Sequence, residues 1–217
     1  MELPFLPPSK VEKRPPMQLY VTYTSPYARL ARILVLEKQL ADRVTILEAK
    51  TRTVGSPYYQ INPSGRVPYL IDDHGVGMED SQLICAYLDA VDGAPRFHGS
   101  GANADWRSAK LEATARSMLD GISVWVREIN RPETERSPTV LAHEVARSER
   151  LADHFEAVVA EPAMAVGPRS MAHLILAVAL ETAHRRGPGD LTRGRPRLAA
   201  WLAALSALPA LRATAIR

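Results

Sequence analysis

The chain of 217 residues has a single cysteine, Cys85. An internal disulfide is therefore excluded, and a reducing compartment, the cytoplasm, is the expected location. No apolar run reaches the length of a membrane span, so no membrane partner is expected. Residues 1–16 carry five prolines and three basic residues but no unbroken apolar core, and do not read as a secretory signal. Six histidines show no metal-ligand spacing, so no metal is expected. Lys and Arg number 27 against 24 Asp and Glu and are scattered, leaving no basic stripe for nucleic acid. What is present is 46% hydrophobic residues, enough for a sizeable core and against disorder. The length suits one large domain or two small ones.

The most informative stretch is Asn62-Pro63-Ser64-Gly65-Arg66-Val67-Pro68-Tyr69-Leu70. Asn-Pro and Ser-Gly signal turns. Val67–Ile71 then reads as a strand that contains a proline, and a proline has no N–H for a ladder. By itself this implies an edge strand. The N–H and C=O of Val67 would face outward there, open to another backbone.

Along the chain, Met17, Leu19, Val21 and Tyr23 alternate with Gln18, Tyr20 and Thr22, the period of a strand. Thr24-Ser25-Pro26 supplies a hydroxyl cap with proline at the first helical position. The helix that follows points Leu30, Ile33, Leu34, Leu36 and Leu40 to a core, with Arg29, Arg32, Glu37 and Lys38 between them. Val44 and Ile46 begin a second strand, parallel to the first because a helix connects them. Residues 50–66 form a long loop. Val67–Ile71 and about Val76–Met78 make a hairpin, and a helix from Asp80 buries Leu83, Ile84, Tyr87, Leu88 and Val91. Mid-helix, Cys85 has nothing to lower its pKa and reads as buried filler.

Residues 92–103 are the clearest linker, rich in Gly and Pro. Beyond it only helices are expected: about Ala104–Ile129, one from Ser137-Pro138, an apolar central helix from Ser170, and a last one over Pro196–Ala207. His173 and His184 lie eleven apart, on one helix face, as packing or surface residues. Trp106, Met118, Trp125 and Trp201 are expected in the core. The predicted architecture is α/β plus all-α. A proline-rich arm (1–16) precedes a thioredoxin-like βαβ–ββα domain (17–91), then come the linker (92–103) and an all-helical domain (104–217).

Three pieces in this order, Thr24-Ser25-Pro26-Tyr27, the Asn62–Pro68 loop and Met78-Glu79-Asp80-Ser81, resemble the glutathione-binding half of the glutathione transferases. The same two domains follow each other in that family, so the resemblance spans about residues 17–217. It implies a cytosolic homodimer that conjugates glutathione to a small hydrophobic electrophile held by the helical domain. Glutathione would be a cosubstrate, with no metal. Some family members are glutathione-dependent isomerases or dehalogenases, and a non-catalytic ligand carrier of the same fold is the alternative from another class. Thiol-disulfide chemistry usually has a cysteine where Ser25 stands.

The resemblance gives Ser25 the catalytic role, as donor of a hydrogen bond to the glutathione thiolate; Tyr23 and Tyr27 are the competing hydroxyls. A free thiol has a pKa of about 8.5. A hydrogen bond to a charged sulfur contributes roughly 1.5–3 kcal/mol, and a helix N-terminus adds roughly 0.3–1 kcal/mol. These suffice for a drop of one to two units at about 1.36 kcal/mol each. By the same resemblance Asp80 takes the ammonium of the ligand, Ser81 and its helix N–H take the α-carboxylate, and Val67, before Pro68, pairs with the central residue. Arg66 could meet a carboxylate or be solvated. No Glu or Gln stands three residues after Ser81, so no capping box uses that helix start. One departure concerns the central helix, where the family often has an acid three residues after its hydroxyl cap. Here Ser170 is followed by His173, which puts the stability of that helix start in question.

Overall fold

The computed structural model describes residues 15–98, 106–167, 169–187 and 189–216. Residues 1–14 of the arm and 99–103 of the linker lie outside them. The first half runs β1 (Met17–Val21), α1 (Pro26–Glu37), β2 (Val44–Glu48), α2 (Tyr58–Ile61), β3 (Tyr69–Ile71), β4 (Gly77–Glu79) and α3 (Ser81–Ala90). The second holds α4 (Trp106–Ile129), α5 (Pro138–Val158), α6 (Met171–Arg186), α7 (Pro196–Ser206) and α8 (Pro209–Ala213). This is a thioredoxin-like sheet with helices, followed by a helical region.

The sheet order is β2-β1-β3-β4, with β1 and β2 parallel and the other pairs antiparallel. Met17, Leu19 and Val21 of β1 point into the core shared with α1 and α3. On the opposite face the Tyr20 ring lies tilted against that of Tyr58 of α2, ring centroids 5.6 Å apart. The registers decide what lies at each end of the sheet. Val21 pairs with Glu48, Tyr20 with Tyr69, and Tyr69 with Glu79. The chain therefore leaves β1, leaves β2, enters β3 and leaves β4 at one and the same end.

Several expectations are corrected. β3 is an interior strand, and it begins at Tyr69, so Val67 and Pro68 stand just before it. A proline without an N–H is tolerated there, at the mouth of the strand. β4 ends at Glu79 rather than Met78, the expected 50–66 loop contains α2, and α8 follows the helix expected to be last. Leu83 is 55% exposed, because Ile84, Cys85 and Leu88 form the buried stripe of α3. Leu36 is exposed, as is Trp106 at 87%, whereas Met118, Trp125 and Trp201 are in the core.

The largest surprise is charge. Arg29, Arg32 and Lys38 of the first helical segment are buried, since that segment is covered from outside the sheet. Arg29 is 0% exposed and reaches Glu181 of α6 at 2.5 Å, the Leu211 carbonyl at 3.1 Å and the Thr214 hydroxyl at 3.4 Å. Asp89 of α3 accepts the N–H groups of Arg96, Phe97 and His98 at 2.8–2.9 Å, which fixes the start of the linker.

Helix α6 is central as expected, buried over Met171–Leu180. Each fully buried Leu or Ile there contributes roughly 1.5–3 kcal/mol. Its start is not weakened by the missing acid. The Ser170 N–H donates to Nδ1 of His173 at 3.2 Å, so the imidazole accepts where a carboxylate would. Nε2 then carries the proton and donates to the Ala165 carbonyl at 3.1 Å. His173 also stacks on Trp201 and is fully buried, while His184 is exposed near the end of the helix, so the two do not share an environment.

Candidate active site

Ser25 caps α1 at the end of the sheet just defined. Its Oγ accepts from the Ala28 N–H at 3.2 Å, and its own N–H donates to the Thr22 carbonyl at 3.2 Å. A hydroxyl has one proton to give as well as two lone pairs. Capping uses a lone pair and leaves the proton of this half-exposed residue available. No acidic residue lies in the first turn of α1, so its own sequence does not neutralise the positive end.

Beside it, across one strand spacing of about 5 Å, the chain enters β3. The Val67–Pro68 bond is cis. Val67 is half-buried and, among the described residues, its N–H and C=O have no backbone partner. The preceding loop is firmly tied. The Arg66 carbonyl accepts from the Tyr58 hydroxyl at 2.5 Å and from Asn62 Nδ2 at 3.0 Å. Gly65 has φ +67°, and a Cβ there would meet the Tyr59 ring at 2.8 Å. The Arg66 side chain is exposed.

A further strand spacing on, β4 hands over to α3. Asp80 caps that helix, accepting from the Gln82 N–H at 2.7 Å through Oδ1. Its φ of 77° is left-handed, a costly conformation for a residue with a side chain. Ser81 follows as the first helical residue, 8% exposed. Glu79, which could have replaced Asp80, accepts from the Ser64 hydroxyl and so belongs to the loop.

On the other side of β1, a cavity of about 500 Å³ opens between Thr22–Thr24 and Glu48–Thr51 with Thr53. Lys50 on its rim was missed by sequence reasoning. Its only signal is its place two residues beyond the strand that pairs with β1. The competing tyrosines have other partners. The Tyr23 ring lies under the Arg32 guanidinium at 4.7 Å. The Tyr27 hydroxyl donates to Asp120 Oδ1 of α4 at 2.5 Å, and burial together with that carboxylate pushes it up to about 12. Cys85 is fully buried, and burial pushes its thiol up to about 12, so it is inert filler. Among the described residues, no group of three or more His, Cys, Asp or Glu is placed to hold a metal ion. No described helix is long and apolar enough to cross a membrane.

The sequence profile of the glutathione S-transferase N-terminal domain matches residues 19–96, the part of the chain that carries all these positions except Asp120. The matched segment is thus, by its profile, a glutathione S-transferase N-terminal domain. An Escherichia coli K12 relative, the uncharacterised GST-like protein YibF, is 28% identical over 164 residues, 76% of this chain and 80% of that one. A glutathione transferase family member from Pseudomonas fluorescens Pf-5, solved with bound glutathione, superposes with a TM-score of 0.80 at 27% identity, covering 93% of this chain and 99% of that one. A glutathione S-transferase from Methylobacillus flagellatus KT, also with glutathione bound, gives 0.81 at 25% identity, with 93% and 100% coverage. The likeness to these family members therefore runs through the helical region as well as the matched domain.

Proposed function

We propose that the protein is a glutathione transferase, which binds glutathione across the end of its sheet and activates the thiol for attack on a small electrophile. The observation that carries this reading is the strand register, which brings Ser25, Val67 and Asp80-Ser81 to one end. From β4 to β1 is two strand spacings, about 10 Å. An extended tripeptide spans about the same distance.

In this reading Asp80 faces the ammonium of the γ-glutamyl end with the carboxylate oxygen that does not cap Gln82. The Ser81 hydroxyl and helix N–H take the α-carboxylate. Val67 pairs through its N–H and C=O with the central cysteine, and Lys50 meets the glycine carboxylate. The thiol then lies at Ser25. The serine hydroxyl and the positive end of α1 stabilise the thiolate, and the proton leaves to solvent. In a substitution the sulfur lone pair forms the new S–C bond, and the leaving group departs with the electron pair of the bond that breaks. The helical region of residues 104–217 supplies the second-substrate side. A homodimer in the cytoplasm completes the reading.

Retention on immobilised glutathione, followed by turnover of 1-chloro-2,4-dinitrobenzene, tests it. Retention with turnover is the expected result. Retention without turnover means a carrier of the same fold, and no retention overturns the reading.

A further inference from the structure

Ser25 must hold its hydroxyl in one direction, and its place in the fold makes that difficult. It caps a helix end, where backbone hydrogen bonds are fewest and fraying begins. Ala28–Val35 of α1 are buried and fixed by packing, but Ser25, Pro26 and Tyr27 are only half-buried. From the sheet side the Ser25 N–H is tied to the Thr22 carbonyl at 3.2 Å. From the other side a side chain ties the same turn. Tyr27, the second residue of α1, donates its hydroxyl to Oδ1 of Asp120 in α4 at 2.5 Å. Ser123 and Arg127, on the same stripe of α4, face that hydroxyl too. The far end of the bond is well anchored, since Met118, Leu119, Gly121 and Ile122 on either side of Asp120 are buried. Burial and the carboxylate push the Tyr27 pKa up to about 12. The donor therefore persists throughout the range in which a thiol of ordinary pKa, about 8.5, titrates.

A hydrogen bond weakens steeply as its angle departs from the best value. Ser25 and Tyr27 share one turn, so a shift that carries the tyrosine away from Asp120 also turns the serine. We propose that Asp120, acting through Tyr27, is a positioning residue for Ser25: it holds the start of α1 so that the serine hydroxyl points at the glutathione thiol. The inference rests on the transferase reading and adds to it. Asp120 lies beyond residues 19–96, so the aim of the serine depends on a residue of the helical region.

The test reads the thiol itself. The full chain is saturated with glutathione, and the ultraviolet absorbance of the bound thiolate is followed against pH. The pH profile of kcat/KM for 1-chloro-2,4-dinitrobenzene at saturating glutathione gives the same pKa a second time. Tyr27→Phe keeps the ring and removes the donor. It should raise the pKa of the bound thiol by roughly half a unit to one unit, which lowers kcat/KM about three- to tenfold at pH values below it. KM for glutathione should change little, because the contacts proposed for the rest of the ligand come from other elements. Asp120→Ala should act like Tyr27→Phe, and Asp120→Asn, whose amide oxygen still accepts, should recover most of the loss. With Ser25→Ala there is no hydroxyl to aim, so adding Tyr27→Phe should move the thiol pKa no further. If Tyr27→Phe does not fold, Asp120→Ala at its exposed position carries the test. A thiol pKa unmoved in the folded variants that break the bond overturns the inference, as does an equal rise in the Ser25→Ala background. So does a lowered thiol pKa in Asp120→Asn, which would mean that Asp120 acts by its charge. In each of these cases the transferase reading stands. A parent protein that forms no glutathione thiolate removes both.

Discussion

Among the described residues Ser25, Ser137 and Ser170 cap helices, and Ser25 and Ser170 differ in what they have left to give. Ser170 begins α6 inside the molecule, where His173 takes its N–H and the Ala165 carbonyl takes the remaining imidazole proton. Every polar group of that start is directed at the protein itself. Ser25 begins α1 at the open end of a sheet, where the hydroxyl accepts from Ala28 and keeps its proton. The residue type and the capping role are the same. What differs is whether the surroundings consume the donor capacity, so a cap signal in sequence specifies a helix start and not its use.

The comparison is broken most severely at the interior start. His173→Ala leaves the Ser170 N–H and the Ala165 carbonyl unpaired and opens space beside Trp201. We expect a loss of about 3 kcal/mol in urea unfolding, with the glutathione KM of the folded protein unchanged. The same imidazole gives a pH signature. Burial lowers its folded pKa below the usual value of about 6.5. As pH falls below that value the unfolded chain takes up a proton that the folded one refuses, so this contribution to stability is full above about 6.5 and is lost on acidification. The slope of stability against pH between 5 and 7 should be shallower in His173→Ala than in the parent.

At the open start the order of effects reverses. Ser25→Ala should reduce kcat/KM for conjugation roughly thirtyfold, from a charged hydrogen bond of roughly 2 kcal/mol, while costing about 1 kcal/mol of stability as a lost cap. Ser170→Ala should cost a similar amount of stability with no change in kcat/KM. Equal kinetics for the two alanine variants would remove Ser25 from the mechanism.

Two smaller changes sharpen the picture along the ligand. Asp80→Asn keeps a good cap but removes the charge, so KM for glutathione should rise about tenfold with kcat nearly constant. Lys50→Ala lies at an exposed rim, and a screened pair there is worth at most about 1 kcal/mol. A KM increase of up to about fivefold is expected, shrinking in 0.5 M salt.

The β1–α1–β2 unit and the helix starts at Ser25, Asp80, Ser137 and Ser170 were legible because period and cap chemistry are local. The three places proposed to face the ligand were legible through their resemblance to a family, and their meeting at one end follows from register, which spacing alone does not contain. Long-range contacts hid the rest. The burial of Arg29, Arg32 and Lys38 was not legible, because nothing local announces that other parts of the chain will cover them. Pro57 and Pro63 masked α2 by bracketing it with turn signals. Lys50 and Asp120 became visible only when β2 and α4 were seen beside β1 and α1.

The fully enclosed Arg29 sits one turn after Ser25, and two of its acceptors, the Leu211 carbonyl and the Thr214 hydroxyl, come from the far end of the described chain. Melting α8 would therefore leave the buried Arg29 charge of α1 with Glu181 but without these two acceptors, a penalty neither half can relieve alone. In a calorimeter the sheet and the helical bundle should come apart in a single endotherm, as one cooperative body.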